Sequence, residues 1–205
     1  PRVILLGRLA LYGAGAARLP EELIPVTARW IDPMVRKNPL SPYVMDAGTK
    51  ALGLLDQSLL KAGGIKLTPE VIAQLQQAAA GDIRELRPHL ESRGAEYAAD
   101  AVRKLADRGA AEATAMREIL ETQQKHLAET IKRISRLNPQ QRLLDFGDDE
   151  NELAQLDANK RYWENRLEQL REELKTEPQR IADIYKVKAQ RVEPVGLVYL
   201  WPVTG

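Results

Sequence analysis

Apolar residues recur along the second half of the chain with the period of a helix that packs against another helix. Leu153, Leu156, Lys160, Trp163, Leu167, Leu170 and Leu174 follow one another at alternating steps of three and four residues. Such a seam predicts a helix covered by a partner along most of its length, with Lys160 its one polar position. At ~1.5 Å per residue, residues 153–175 would reach roughly 33 Å. Upstream, Met116, Ile119, Leu120, Leu127, Ile131 and Ile134 form a second apolar stripe. Asn138-Pro139 ends it, because the residue before a proline avoids helical angles. Residues 138–151 then read as a turn, and the simplest geometry is an antiparallel helical hairpin, a coiled coil within one chain.

The two chain ends follow a different pattern. Residues 3–6 and 9–12 are short apolar segments separated by Gly7, and residues 23–31 form another, in which Pro25 argues for an edge or a bend. Residues 195–201, Val-Gly-Leu-Val-Tyr-Leu-Trp, are apolar on both faces, the composition of a central strand. The expected architecture is α+β and mostly helical: a small β-layer built from both chain ends, with a long antiparallel helical hairpin inserted between them.

Between these regimes lie shorter predicted elements. Pro33, Pro39 and Pro42 make residues 32–42 a connector. Ala51, Leu52, Leu55, Leu59 and Leu60 share a helical face that Gly63-Gly64 would close. Thr68-Pro69 opens a helix expected to stop near Gly81, and Asp82 with Glu85 has the spacing of a new capping box. Pro88 and Gly94 mark a break or kink before the hairpin. Thr176 and Gln179, flanking Pro178, predict a fresh cap, a kink and a short helix to about residue 188. The expected segments are thus 1–43, β-rich; 44–92, a short-helix bundle; 93–188, the hairpin; and 189–205, a strand returning to the β-layer.

Composition changes this picture little. The chain has 205 residues, 44% hydrophobic and 29% charged, with a formal net charge of +1. It has no cysteine, which excludes disulfides and thiolate metal sites and fits a cytoplasmic location. No apolar run approaches the ~18 residues of a membrane span, and no secretory leader is expected. Because the chain opens on Pro1 and passes at once into apolar residues, a fragment of a longer protein is expected. The end segments are net basic and the helical middle net acidic, a balance that permits nucleic-acid contact by the ends without requiring it.

Candidate chemistry is sparse. Gly13-Ala14-Gly15 could cradle an anion after a strand, but the Gly-Lys-Ser/Thr ending of a Walker loop is missing there and at residues 63–66, so a plain turn is the simpler reading. The acidic run 145–152 could hold Mg²⁺ or Ca²⁺, yet acids before a helix also stabilise its positive end. His89 and His126, the two histidines, have no Ser, Cys or carboxylate at a spacing that builds a triad or a zinc site. Lys160 could fix helix register, or lay its stem along the seam with its ammonium in water. Lys125, Lys132, Arg133, Arg136 and Arg142 make a basic patch suited to DNA phosphates, although a helix C-terminus favours cations in any case.

Two terminal blocks carry a resemblance: residues 4–13 continuing to 23–30, and Tyr185-Lys186-Val187-Lys188-Ala189-Gln190-Arg191-Val192-Glu193-Pro194 running on through Val195 to Pro202. Together they resemble the C-terminal region of large bacterial Swi/Snf-type helicases, in particular the helicase subunits of DISARM anti-phage defence systems. The resemblance implies a segment that follows the ATPase motor of a DNA translocase. The motor's Walker A, acidic Mg²⁺ and arginine-finger motifs have no counterpart here, so no catalytic residue, metal or cofactor is carried over. The implied partners are the ATPase motor domains of the same parent chain, duplex DNA and sister defence-system subunits. Two other readings stay open: a coiled-coil protein-interaction module, and a stand-alone DNA-binding protein.

Overall fold

The computed structural model describes residues 1–44, 46–61, 67–136 and 150–202; the side chains of residues 150–154, 156 and 157 lie outside the description. The chain divides into two compact units, one formed by Pro1–Arg103 with Val187–Gly205 and the other by Lys104–Lys186. It is mostly helical, and its β-layer comes from both chain ends, as the sequence pattern predicts.

In the first unit, β1 (Arg2–Tyr12), β2 (Arg18–Arg29) and β3 (Ala189–Leu200) form an antiparallel sheet of order β2-β1-β3. A single turn of 3-10 helix, Ala14–Ala16, joins β1 to β2, with Gly15 and Ala16 at positive φ. The Gly13 N–H donates to Ala17 O at 2.8 Å and the Ala17 N–H to Ala14 O at 3.2 Å. This glycine-rich stretch is therefore a hairpin turn.

Side chains alternate across a strand, so Val3, Leu5, Gly7, Leu9 and Leu11 share one face of β1. Against that face lies α2 (Pro69–Arg136), through a buried stripe of Leu75, Ala78, Asp82, Leu86, Leu90 and Ala98. Burying a Leu or Ile side chain contributes about 1.5–3 kcal/mol, so Val3, Leu5, Leu9, Leu86 and Leu90, each at most 1% exposed, dominate this core. On the other face, α1 (Asp46–Leu60) approaches β2, where Gly48 packs beside Thr27 and Ala51 is fully buried.

Several sequence expectations need correction. Gly7 does not interrupt β1. A Cβ there would stand 2.5 Å from Leu90 Cδ1, so the missing side chain is what lets Leu90 seat on the sheet. A Cβ on Gly94 would likewise stand 2.5 Å from Val192 Cγ2, which marks a close approach of helix to strand and not a helix end. The helix expected to stop near Gly81 runs unbroken through Gly81, Pro88 and Gly94 to Arg136. An interior proline costs about 3 kcal/mol, and the full burial of Leu86 and Leu90 on either side of Pro88 offsets it. The apolar segment 195–201 belongs to an edge strand: β1 is central, and β3 leaves Val195 half exposed.

The second unit contains the hairpin. The later part of α2 faces α3 (Glu150–Ile184) in antiparallel sense. Near one end, Tyr185 Oη donates to Glu112 Oε2 at 2.6 Å and the Arg108 guanidinium sits 5.5 Å from the Tyr185 ring centre. Farther along, Gln123, Leu127 and Thr130 share a cavity with Trp163, Arg166 and Leu170. The predicted seam is spent here within one chain: Leu170 is buried and Trp163, Leu167 and Leu174 are half-buried, whereas the side chains of Leu153 and Leu156 lie outside the described residues. On the α2 side, Leu120 and Ile134 are buried, but Ile119 is 52% exposed and falls off the stripe. Lys160 is part-exposed with its ammonium 3.9 Å from Glu164, so its stem follows the seam and its charge reaches water. Thr176 does not cap a new helix: its hydroxyl donates back to Glu172 O at 3.1 Å, and α3 continues through Pro178 to Ile184. Of the expected turn, residues 138–149 lie outside the described residues, and residues 150 and 151 already belong to α3.

Candidate functional site

The basic patch comes first. Lys125, Lys132, Arg133 and Arg136 are all exposed on α2, and none forms an ion pair among the described residues. Residues 125, 132 and 136 lie seven and four apart, which stacks them along one side of the helix. Arg133 extends the row toward its neighbouring side. Elsewhere on both long helices several of the same residue types are paired locally, although Arg84, Arg117 and Arg161 have no such pair among the described residues. Arg87 holds Glu91 at 2.8 Å, Arg108 holds Glu112 at 2.9 Å, Arg171 holds Glu168 at 2.7 Å and Lys175 holds Glu172 at 2.7 Å. Glu129 stands four residues from both Lys125 and Arg133, yet pairs with neither among the described residues. Helix-dipole attraction acts over the last turn, which contains Arg133 and Arg136 but neither Lys125 nor Lys132. Arg142 lies outside the described residues, as do the turn acids 145–149.

A second constellation was not legible as a site in the sequence. Asp82 is wholly buried, and its two oxygens accept three hydrogen bonds. Oδ2 takes Trp30 Nε1 at 2.9 Å and Tyr199 Oη at 2.7 Å, while Oδ1 takes Arg36 Nη1 at 2.8 Å. One turn on, Glu85 Oε1 accepts Arg36 Nη2 at 2.6 Å and Oε2 accepts the Leu40 backbone N–H at 2.9 Å. The capping-box spacing of Asp82 and Glu85 thus serves a tertiary purpose: residues three apart share a helix face, and here that face grips the connector 32–42. Asp32 ties the connector's start, accepting from the Met34 N–H at 2.8 Å and from Gln74 Nε2.

Electrostatics follow from this geometry. Burial works against the Arg36 charge, but the hydrogen bonds to Asp82 and Glu85 outweigh it and raise its pKa above the ordinary value. Burial, reinforced by the bond to Asp82, pushes the Tyr199 hydroxyl far above its usual pKa, so it stays a donor. Trp30 packs edge-on to Tyr199, with ring centres 6.1 Å apart, and tilted against Trp201 at 5.5 Å. The node joins β2, the connector, α2 and β3 in one unit. Every group in it has a partner, the condition under which a buried polar network rigidifies a fold. Its acids are fully engaged, which leaves no free base or nucleophile.

His89 and His126 are both exposed. Among the described residues, no group of three or more His, Cys, Asp or Glu is placed to hold a metal ion, and no helix is long and apolar enough to cross a membrane. No protein-family model matches this chain, and neither the curated proteins nor the solved structures contain a match.

Proposed function

We propose that this chain is a non-catalytic, DNA-contacting accessory region of a larger Swi/Snf-type DNA-dependent ATPase with a role in phage defence. The observation that supports DNA contact is the row of exposed cations Lys125, Lys132, Arg133 and Arg136, which have no carboxylate partner among the described residues, whereas Arg87, Arg103 and Arg108 earlier on the same helix each hold one. Cations spaced along one helix side suit the regular phosphates of a duplex, and such contacts position a protein without reading sequence. The larger protein and its defence role rest on the resemblance of the two terminal blocks. In this reading the ATPase motor domains belong to the same parent chain and hydrolyse the nucleotide, and the present residues brace that motor or meet a sister subunit.

The test is fluorescence anisotropy of a labelled DNA duplex with the wild-type chain and with the triple variant Lys132→Ala/Arg133→Ala/Arg136→Ala. All three side chains are exposed, so the variant should keep its helical circular dichroism. Losing three phosphate contacts should weaken binding by at least about tenfold at low salt. Equal affinity of the two proteins would remove the support for DNA contact.

A further inference from the structure

At one end of the sheet, Arg2 and Arg29 stand directly opposite each other across the β1–β2 ladder. Like charges in that relation repel, and neither guanidinium has an ion pair or side-chain hydrogen bond among the described residues. The same sheet face treats its other arginines differently. Arg8 is held by Glu193 at 2.8 Å and lies 3.9 Å from Glu21, while Arg191 pairs with Glu193 and Arg18 reaches Glu21 at 4.0 Å. One half of the face is thus charge-balanced by carboxylates, and the other half concentrates unbalanced positive charge.

That charge opens into a cavity of about 710 Å³, within the ~300–1,000 Å³ range of small-molecule sites. Arg2 and Arg29 line it together with Tyr43, Leu54, Tyr199 and Trp201, and among the described residues no Asp or Glu is in its walls. The elements that carry the aromatic walls are tied to the sheet before any ligand arrives. The Tyr43 main chain is fixed by its N–H bond to Thr27 O at 2.7 Å and by the adjacent Pro42–Ala28 bridge. Trp201 lies against Trp30, which the buried Asp82 anchors. Paired cations beside aromatic rings match a phosphate with an adjoining planar base, since arginine forks onto phosphate oxygens and bases stack on aromatic faces.

We propose that this cavity binds one nucleotide unit of a single nucleic-acid strand, its phosphate held by Arg2 and Arg29 and its base against Tyr43 and Trp201. The site is separate from the cation row on α2 and makes no use of it. A free mononucleotide presents the same chemistry, so the test separates the two sources. The 205-residue chain would be titrated calorimetrically with a short oligothymidylate, with AMP and with inorganic phosphate, and its melting temperature followed with each. The oligothymidylate should bind and raise the melting temperature, AMP should bind more weakly, and phosphate more weakly still.

Arg29→Ala should lower oligothymidylate affinity by at least about tenfold. Because that substitution relieves a repulsion, its melting temperature should not fall, and a loss of binding then cannot be ascribed to misfolding. The triple variant on α2 should bind the oligothymidylate as the wild type does. No saturable binding, an Arg29→Ala variant that binds normally, or phosphate binding as tightly as AMP would each overturn the proposal. AMP binding as tightly as the strand would overturn the single-strand assignment and make the free nucleotide the ligand.

Discussion

Replacing Asp82 by alanine removes the acceptor for Trp30, Tyr199 and Arg36 at once. Arg36, whose side chain is 8% exposed, keeps only Glu85 as counterion. Breaking a buried pair from one side costs about 3–5 kcal/mol, because the surviving charge stays buried. Asp82→Ala should therefore lower stability by about 4 kcal/mol and the melting temperature by ~8–16 °C. Asp82→Asn keeps an acceptor oxygen for Trp30 and Tyr199 but faces Arg36 without charge, and should cost about 2 kcal/mol. Urea unfolding followed by tryptophan fluorescence in a Trp163→Phe background measures this directly, since the remaining tryptophans, Trp30 and Trp201, both belong to the sheet unit. The double change Asp82→Leu/Arg36→Met should recover much of the loss, as apolar replacement of a whole buried pair commonly does. An Asp82→Ala variant within about 1 kcal/mol of wild type would refute the node as the clamp between connector, helix and sheet.

Other consequences are narrower. Gly7→Ala should destabilise by about 1–3 kcal/mol, because its Cβ would stand 2.5 Å from Leu90. Gly53→Ala, with nothing within 4 Å of the new Cβ, should be neutral or add up to ~1 kcal/mol in the same melts. Leu170→Ala should cost the hairpin about 3 kcal/mol, read as lost ellipticity at intermediate urea. Acid should loosen the hairpin as well. Glu173 is held below its ordinary value of 4.5 by the hydrogen bond from Arg166, and Glu112 by the Tyr185 hydroxyl and then Arg108. Lowered carboxylate pKa values mean that their stabilisation is complete above about pH 4.5 and fades as pH falls through the depressed values. Helical signal that stays flat from pH 5 to pH 2 would contradict it, and added salt should shrink the effect because both pairs remain partly open to solvent.

What could be read from sequence alone depended on whether the cause was local. The strands at both ends and the helix seam are periodic, and periodicity survives folding because it records which face is covered. Gly7 and Gly94 misled because glycine weakens an isolated strand or helix, whereas here each is needed by a neighbour distant in sequence. Asp82 and Glu85 carry the spacing of a cap, and local rules have no reason to prefer a tertiary reading. One signal was present: Asp82 falls on the three-and-four stripe of Leu75, Ala78, Leu86 and Leu90. An acid at a core position of an apolar stripe calls for a buried partner, and Arg36 in the proline-rich connector supplies it. The edge placement of β3 was illegible because its composition suits a strand covered on both sides, while strand order depends on pairings made across the whole chain. The cation row was visible as residues; that none of its members has a counterion among the described residues emerges only from the folded structure.

The most direct test of the DNA-contacting role is the slope of log affinity against log salt concentration for duplex binding by the wild-type chain. Engagement of phosphates by Lys125, Lys132, Arg133 and Arg136 predicts a slope of about −3 to −4, because each contact releases nearly one counterion. Removing three of these cations should bring it close to −1. A wild-type slope near zero, or one that the triple variant leaves unchanged, would contradict the account.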